Sequence, residues 1–427
     1  MIAYLAAGGI FLFTFIAILR ERLDQTILAL AGAAGMLIVG MSLGFYSEAQ
    51  AVAAVDFDTL GLLLGMMILV GMLSKTGFFQ FLAIYTAKRS HGNPWLLLLT
   101  LGAIITVLSM FLPNVTTIVL IAPVAILIAE ILGISPVPFL MASALLSNTG
   151  GVATLVGDPP NILIGSAAGL NFTDFLVRLT PIVAIAWVGA VITLRVLFKK
   201  ELTRRAHNIK ALEHLDEKEA LHSPKDVQRI LIILGAVILL FFLEDLVHIT
   251  PPVAALLGAA AALLWVQPNV DEVLKEVEWS VLLFFGGLFV LVGGLEASGV
   301  LQQIASALTG LAQVNLLVSG IALLWGSAVL SAMVDNVPLT IVMIPLILSL
   351  EAQGVAVGPL WWALALGAGF GGNATPIGAT PNLITIKLSQ RTRNPITTQL
   401  WLRTGLPVMV VTCAIATVLY VLTFQFM

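Results

Sequence analysis

The chain is short of charge. Only 10 % of its 427 residues are charged while 59 % are hydrophobic, against about 25 % charged in ordinary globular proteins. So few charges cannot cover a soluble fold, which excludes a soluble enzyme and leaves lipid as the surroundings of the excess apolar surface. Cysteine is nearly missing. Cys413 stands alone, so no intramolecular disulfide, cysteine metal cluster or three-thiolate trap can form, and it reads as a small core- or lipid-facing residue. A net charge of −3 gives no reason to expect nucleic acid as a partner. The alternating ten-residue strands of a membrane barrel are absent. So are His-Glu-x-x-His, Walker and Gly-x-Ser-x-Gly motifs and a carbonyl-lined filter sequence. Neither enzyme nor channel is expected, and no metal or cofactor.

What is present is a succession of apolar runs, which reads as an all-α polytopic membrane protein. Residues 1–19 have no basic n-region and no small-residue cleavage site, so they read as a first span and not as a signal peptide. Further spans are expected at 26–45, 56–74, 177–198, 228–247, 251–267, 279–297 and 403–425. Residues 95–133 and 314–350 are apolar but interrupted, at Pro113-Asn114 and Asp335-Asn336, and read as re-entrant hairpins. Residues 137–168 and 358–388 carry Gly, Pro, Asn and Thr in their middles and read as broken helices. In lipid such interruptions survive only where they are buried or line a cavity.

With the N-terminus outside, the inner loops hold Arg20, Arg22, Lys75, Lys88, Arg89, the stretch 199–229, Lys275, Lys387, Arg391 and Arg393, while Arg178 is the basic residue of the outer loops. That asymmetry satisfies the positive-inside rule and predicts both termini outside. The stretch 199–229 has eight Lys/Arg and six Asp/Glu and reads as a cytoplasmic linker, 199–227. Its histidines, His207, His214 and His222, match no zinc spacing.

The two halves, 1–198 and 228–427, repeat each other. At a shift of 222 residues Val55-Asp56-Phe57 meets Val277-Glu278-Trp279, Gly65 meets Gly287, Gly71 meets Gly293, Gly77 meets Gly299, Ser109 meets Ser331, Asn114 meets Asn336 and Pro123 meets Pro345. One residue fewer aligns Gly150, Thr154, Gly157, Pro160 and Asn161 with Gly371, Thr375, Gly378, Pro381 and Asn382. Each half holds five spans, one of them broken, plus one hairpin. The odd number of crossings makes the repeats inverted, and inverted repeats with matching breaks are the signature of secondary transporters.

The four interruptions therefore supply the candidate site. Asn114, Thr116 and Thr117 lie at the first hairpin tip, and Asn148, Thr149, Gly150, Gly151, Thr154 and Asn161 at the first break. Asn336 lies at the second tip, and Gly371, Gly372, Asn373, Thr375 and Asn382 at the second break. Amides, hydroxyls, free helix N–H groups and unwound carbonyls can hold neutral polyols or ions. The glycines outside these segments, Gly65, Gly71, Gly287 and Gly293, read as helix-packing positions. Asp158 and Asp335 are the acids inside the motifs. A carboxylate within a membrane is expensive and is by default a candidate for proton or ion coupling; the competing role is that of a helix cap. Asp56, Asp58, Glu130, Glu244, Asp245, Glu278, Glu296 and Glu351 fall near span ends and read as interfacial anchors. No Lys or Arg lies within the four motifs, which disfavours a dicarboxylate and favours a neutral or cationic solute exchanged for protons.

Duplicated tips and Gly-Gly-x-Ala-Thr-x-x-Gly-x-x-Pro-Asn breaks resemble the ion transporter superfamily, and the Gly-Asp-Pro-Pro-Asn of residues 157–161 is most similar to its arsenite permease and P-protein branch. The resemblance implies scaffold helices 1–74 and 228–297, a transport domain of hairpins and broken helices, a homodimer, and sites at the residues named above. The tips Pro113-Asn114-Val115 and Asp335-Asn336-Val337 depart from the Ser-Asn-Thr of dicarboxylate carriers. The expected function is proton-coupled efflux of arsenite, and of antimonite, across a cell inner membrane; arsenite at neutral pH is an uncharged trihydroxide that needs no cationic side chain. Sodium/proton antiport and carboxylate or oxyanion symport are the alternatives, and docking of a cytoplasmic ATPase subunit on the linker is left open.

Overall fold

The computed structural model describes residues 2–20, 23–203, 216–303 and 315–426. His207, His214, Arg22 and the first residue of the hairpin expected at 314–350 lie outside the described residues. The first half runs through α1 (Ile2–Leu19), α2 (Gln25–Leu43), α3 (Glu48–Ala54), α4 (Phe57–Lys75), α5 (Phe78–Arg89), α6 (Pro94–Ser109), α7 (Asn114–Leu132), α8 (Val137–Gly151), α9 (Pro159–Ala168) and α10 (Phe172–Leu197). The second runs through α11 (Pro224–Phe242), α12 (Pro251–Val266), α13 (Val270–Glu276), α14 (Trp279–Ala297), α15 (Leu316–Met333), α16 (Asn336–Ala352), α17 (Gly358–Gly371), α18 (Thr380–Ser389) and α19 (Thr398–Thr423). Among the described residues there is no strand, and α2, α4, α7, α10, α14, α15 and α19 are long and apolar enough to cross a membrane. The protein is an all-helical membrane fold of two inverted repeats.

The repeat extends to the caps. Asn93 and Asn315, one repeat apart, each accept a backbone N–H at the starts of α6 and α15. Gly77 and Gly299 turn the chain with φ of +80° and +85°, a region open to glycine at little cost. The last helices, α10 and α19, are each 26 residues long and begin at 172 and 398, not at 177 and 403. Asn171 forms a capping box with Asp174, and Thr397 accepts from the N–H of Leu400. These caps stabilise a polar first turn that hydrophobicity alone does not reveal. Similarly the run expected at 228–247 ends as a long helix at Phe242, followed by a short turn, Glu244–Val247. The connecting helices α3, α5 and α13 occupy segments that the apolar runs left as loops.

Packing divides the helices into two groups. α2 packs on α14, α4 on α12, α1 on α2 and α11 on α12; separately, α15 packs on α17, α6 on α8, α7 on α8 and α10 on α19. Gly65 and Gly287 allow the first group its close crossings. A Cβ on Gly65 would meet the Ala255 carbonyl carbon at 2.6 Å, and one on Gly287 would meet that of Ala29 at 2.9 Å, the packing role expected of small residues in lipid. The groups meet mainly where α14 touches α16 and α4 touches α9. The linker is fastened at one face: the N–H of His222 donates to the Thr76 carbonyl (3.0 Å) and Lys88 pairs with Glu217 (2.6 Å). At the same face Lys75, at the end of α4, pairs with Glu276, at the end of α13 (3.0 Å). We call this the basic face.

Candidate transport site

The two broken helices are built alike. α8 ends at Gly151 and α9 begins at Pro159; α17 ends at Gly371 and α18 begins at Thr380. A helix end leaves carbonyls without intrahelical partners, and one asparagine in each repeat satisfies them. Asn161 Nδ2 donates to the carbonyls of Gly151 (3.3 Å), Val152 (3.0 Å) and Thr154 (2.8 Å). Asn382 Nδ2 donates to Gly372 (2.7 Å) and Thr375 (2.8 Å). Thr154 and Thr375 tie each break to its hairpin: Thr154 Oγ1 donates to the Met110 carbonyl and accepts from the Gly157 N–H, and Thr375 Oγ1 donates to the Ala332 carbonyl (2.5 Å) and accepts from the Gly378 N–H (3.1 Å). The chain folds back so closely that a Cβ on Gly151 would meet the Gly157 carbonyl oxygen at 2.9 Å, and one on Gly372 would meet that of Gly378 at 2.9 Å. Glycine is required at both for that reason.

Between the breaks lies a buried amide cluster that crosses the repeats. Asn148 Nδ2 donates to Asn373 Oδ1 (3.1 Å) and Asn382 Oδ1 (2.9 Å), and Asn373 Nδ2 donates to Thr149 Oγ1 (3.2 Å). Gly150 packs against Thr106 and Gly371 against the backbone of Ala328. Thr117 Oγ1 donates to its own helix at Pro113.

Four of the sequence-derived site residues, Asn114, Asp158, Asp335 and Asn336, line a cavity of about 60 Å³, counted as space open to the centre of a water molecule. That is room for several waters or a small solute. Gln25, Thr380 and Glu278 complete its polar wall, and Leu63, Met67, Phe284 and Phe285 belong to its apolar one. Thr116 sits beside it. The remaining residues, from Asn148 to Asn161 and from Gly371 to Asn382, stand behind this wall and hold it in place.

The geometry separates the two aspartates. Asp335 caps α16, its Oδ1 accepting from the Val337 N–H (3.1 Å) and its Oδ2 from Thr380 Oγ1 (2.9 Å). Asp158 begins α9 without capping it. Its Oδ1 accepts from Asn114 Nδ2 (3.2 Å) and its Oδ2 from Asn336 Nδ2 (3.0 Å). Those asparagines are repeat mates, so one buried carboxylate bridges the two hairpin tips. The acids have no mates: Asp158 stands opposite Ala379 and Asp335 opposite Pro113. The acceptor of the Asn114 amide, Oδ1, is buried without a protein partner. Among the described residues no Lys, Arg or His lines the cavity, and no cluster of His, Cys, Asp and Glu is placed to hold a metal.

Glu278 corrects the sequence reading, which took it for an interfacial anchor. Its Oε1 accepts from Thr116 Oγ1 (2.9 Å) and it faces the cavity. Its mate Asp56 instead caps α4, through the Thr59 N–H (3.0 Å) and Oγ1 (2.6 Å). The signal was in the sequence: Thr59 follows Asp56 by three residues, whereas Val281 follows Glu278 and offers no hydroxyl.

Inverted repeats, paired re-entrant tips and breaks around a polar cavity define a secondary transporter. Comparison with known proteins agrees. The profile of the citrate transporter family matches residues 15–367, and the chain belongs to that family. It is 40 % identical over 423 residues to an uncharacterized transporter of Mycobacterium bovis, with 96 % of each chain covered. It is 39 % identical over 417 residues to a 46 kDa membrane protein of Mycobacterium leprae, with 95 % and 96 % covered. The human P protein matches at 30 % identity over 97 % of this chain and 59 % of its own length. Among solved structures, the YdaH transporter of Alcanivorax borkumensis superposes with a TM-score of 0.61 at 15 % identity, over 94 % of this chain and 97 % of the other, a likeness of fold.

Proposed function

We propose that this transporter exchanges protons for a small uncharged, hydroxyl-bearing solute, with Asp158 carrying the proton, and that arsenite trihydroxide is its cargo in the direction of efflux. The single observation behind this reading is the Asp158 carboxylate bridging Asn114 and Asn336 in a cavity with no basic lining. Each carboxylate oxygen accepts one amide and keeps a lone pair, so a proton can join it without dismantling the bridge. The orphaned Asn114 Oδ1 offers an acceptor to a hydroxyl donor. An anion would meet three carboxylates there and need accompanying cations. The family's description as citrate transporters supports that second reading, a carboxylate moving with a cation, and the same acids would serve sodium/proton antiport. By the positive-inside rule the basic face is cytoplasmic in a cell inner membrane.

The test uses purified protein in liposomes with an acid interior. Arsenite, sodium, or citrate with and without magnesium is added outside, and both gradient collapse and solute uptake are recorded. Arsenite uptake driven by proton exit is expected. Collapse by sodium alone, or uptake confined to citrate, overturns the arsenite assignment in favour of the corresponding alternative.

A further inference from the structure

Glu278 immediately precedes α14 of the first packing group, and Thr116 lies at the tip of α7 in the second, so their hydrogen bond joins the two groups beside the cavity. A hydroxyl donating to a carboxylate is among the stronger neutral-to-charged bonds. Glu278 makes it instead of capping its own helix, for which no side-chain bond is present. It sits at the basic face, two residues beyond the Lys75–Glu276 ion pair. At the opposite ends of α4 and α14, Asp56 and Glu296 line a second cleft of about 400 Å³ against α9 and α16, and the hairpin tips do not reach it.

Inverted repeats let the opposite arrangement be written down: whatever the first tip does at Glu278, the second tip would do at Asp56. The mate of Thr116 is Pro338, which has neither hydroxyl nor N–H. Asp56 is itself engaged, both of its oxygens accepting from Thr59. The counterpart bond cannot form.

We propose that the Thr116–Glu278 bond is a one-sided latch that holds the carrier open to the basic face at rest. The proposal rests on the carrier reading above and takes the second group to move against the first. A bond present in one state and absent from the other biases the equilibrium by its full differential strength, about tenfold for one hydrogen bond to a charged group.

The measurement is sidedness of labelling. Cys413, which is buried, is replaced by Ser, and a single reporter cysteine is placed at Val115, which lines the cavity. Membrane-impermeant maleimide is then applied to either face of oriented vesicles. With Thr116 intact, labelling from the basic face dominates. Thr116→Val, which keeps shape, raises the far-to-near labelling ratio about tenfold, and Glu278→Gln, which keeps an acceptor but not the charge, raises it less. Thr117→Val, whose hydroxyl bonds only its own helix, leaves the ratio unchanged. Equal labelling from both faces before mutation, or an unchanged ratio in Thr116→Val, overturns the latch. Solute flux in the same vesicles separates this from the carrier reading: a protein that moves no solute fails that reading, whereas the labelling ratio tests the latch alone.

Discussion

At the scale of single residues, roles diverge among side chains that look alike. Asp158 and Asp335 share one cavity, but the second is spent on capping α16 and on Thr380, while the first bridges two tips and caps nothing. Asp158→Asn is therefore expected to abolish proton coupling, read as loss of solute-driven proton flux in liposomes. Asp335→Asn is expected to lower the melting temperature in detergent and weaken coupling only in part. Equal loss in both would erase the distinction drawn between them. Asn161 and Asn382 have a different task. Either one changed to Ala leaves buried carbonyls unsatisfied, at about 1–3 kcal/mol, and thermal unfolding should register the loss even without substrate.

At the scale of elements, the broken helix works because its ends are held and its turn is tight. Gly157 lies so near the Gly151 and Ser109 carbonyls, and Gly378 so near those of Gly372 and Ser331, that a methyl group must displace backbone. Gly157→Ala and Gly378→Ala should each reduce the yield of monodisperse protein on size-exclusion chromatography. Gly235→Ala, with open space around its Cβ position, should not. The matching breaks were legible from the spacing of Gly, Thr, Pro and Asn alone. The true starts of α10 and α19 were not, because their first turns are polar and rest on the caps at Asn171 and Thr397.

At the scale of the whole molecule, the linker joins the repeats and is pinned to α5. The Lys88 ammonium, hydrogen-bonded to Glu217, holds that carboxyl below the ordinary glutamate range. A carboxyl depressed on docking contributes to the docked state above its free value, near 4.3. That contribution is lost as pH falls through the lower, docked value. Hydrogen exchange of residues 216–222, corrected for intrinsic rate, should therefore stay protected at neutral pH and rise in this acid window. Lys88→Gln should raise it at neutral pH. Unchanged protection in that variant would mean that the His222–Thr76 backbone bond suffices.

The sequence by itself determined the membrane setting, the inverted repeats, the four interruptions and the two acids within them. Each of these follows from composition or from a periodic pattern that lipid enforces locally. It also grouped as one site residues that the fold separates: Asn114, Asp158, Asp335 and Asn336 face the cavity, whereas Asn148, Asn161, Asn373 and Asn382 hold the breaks together. Tertiary structure alone decided that division, and alone brought Glu278 to Thr116 across 162 residues of chain. Which distant group meets a side chain that its own helix leaves uncommitted depends on how the helices pack, and no local pattern encodes that.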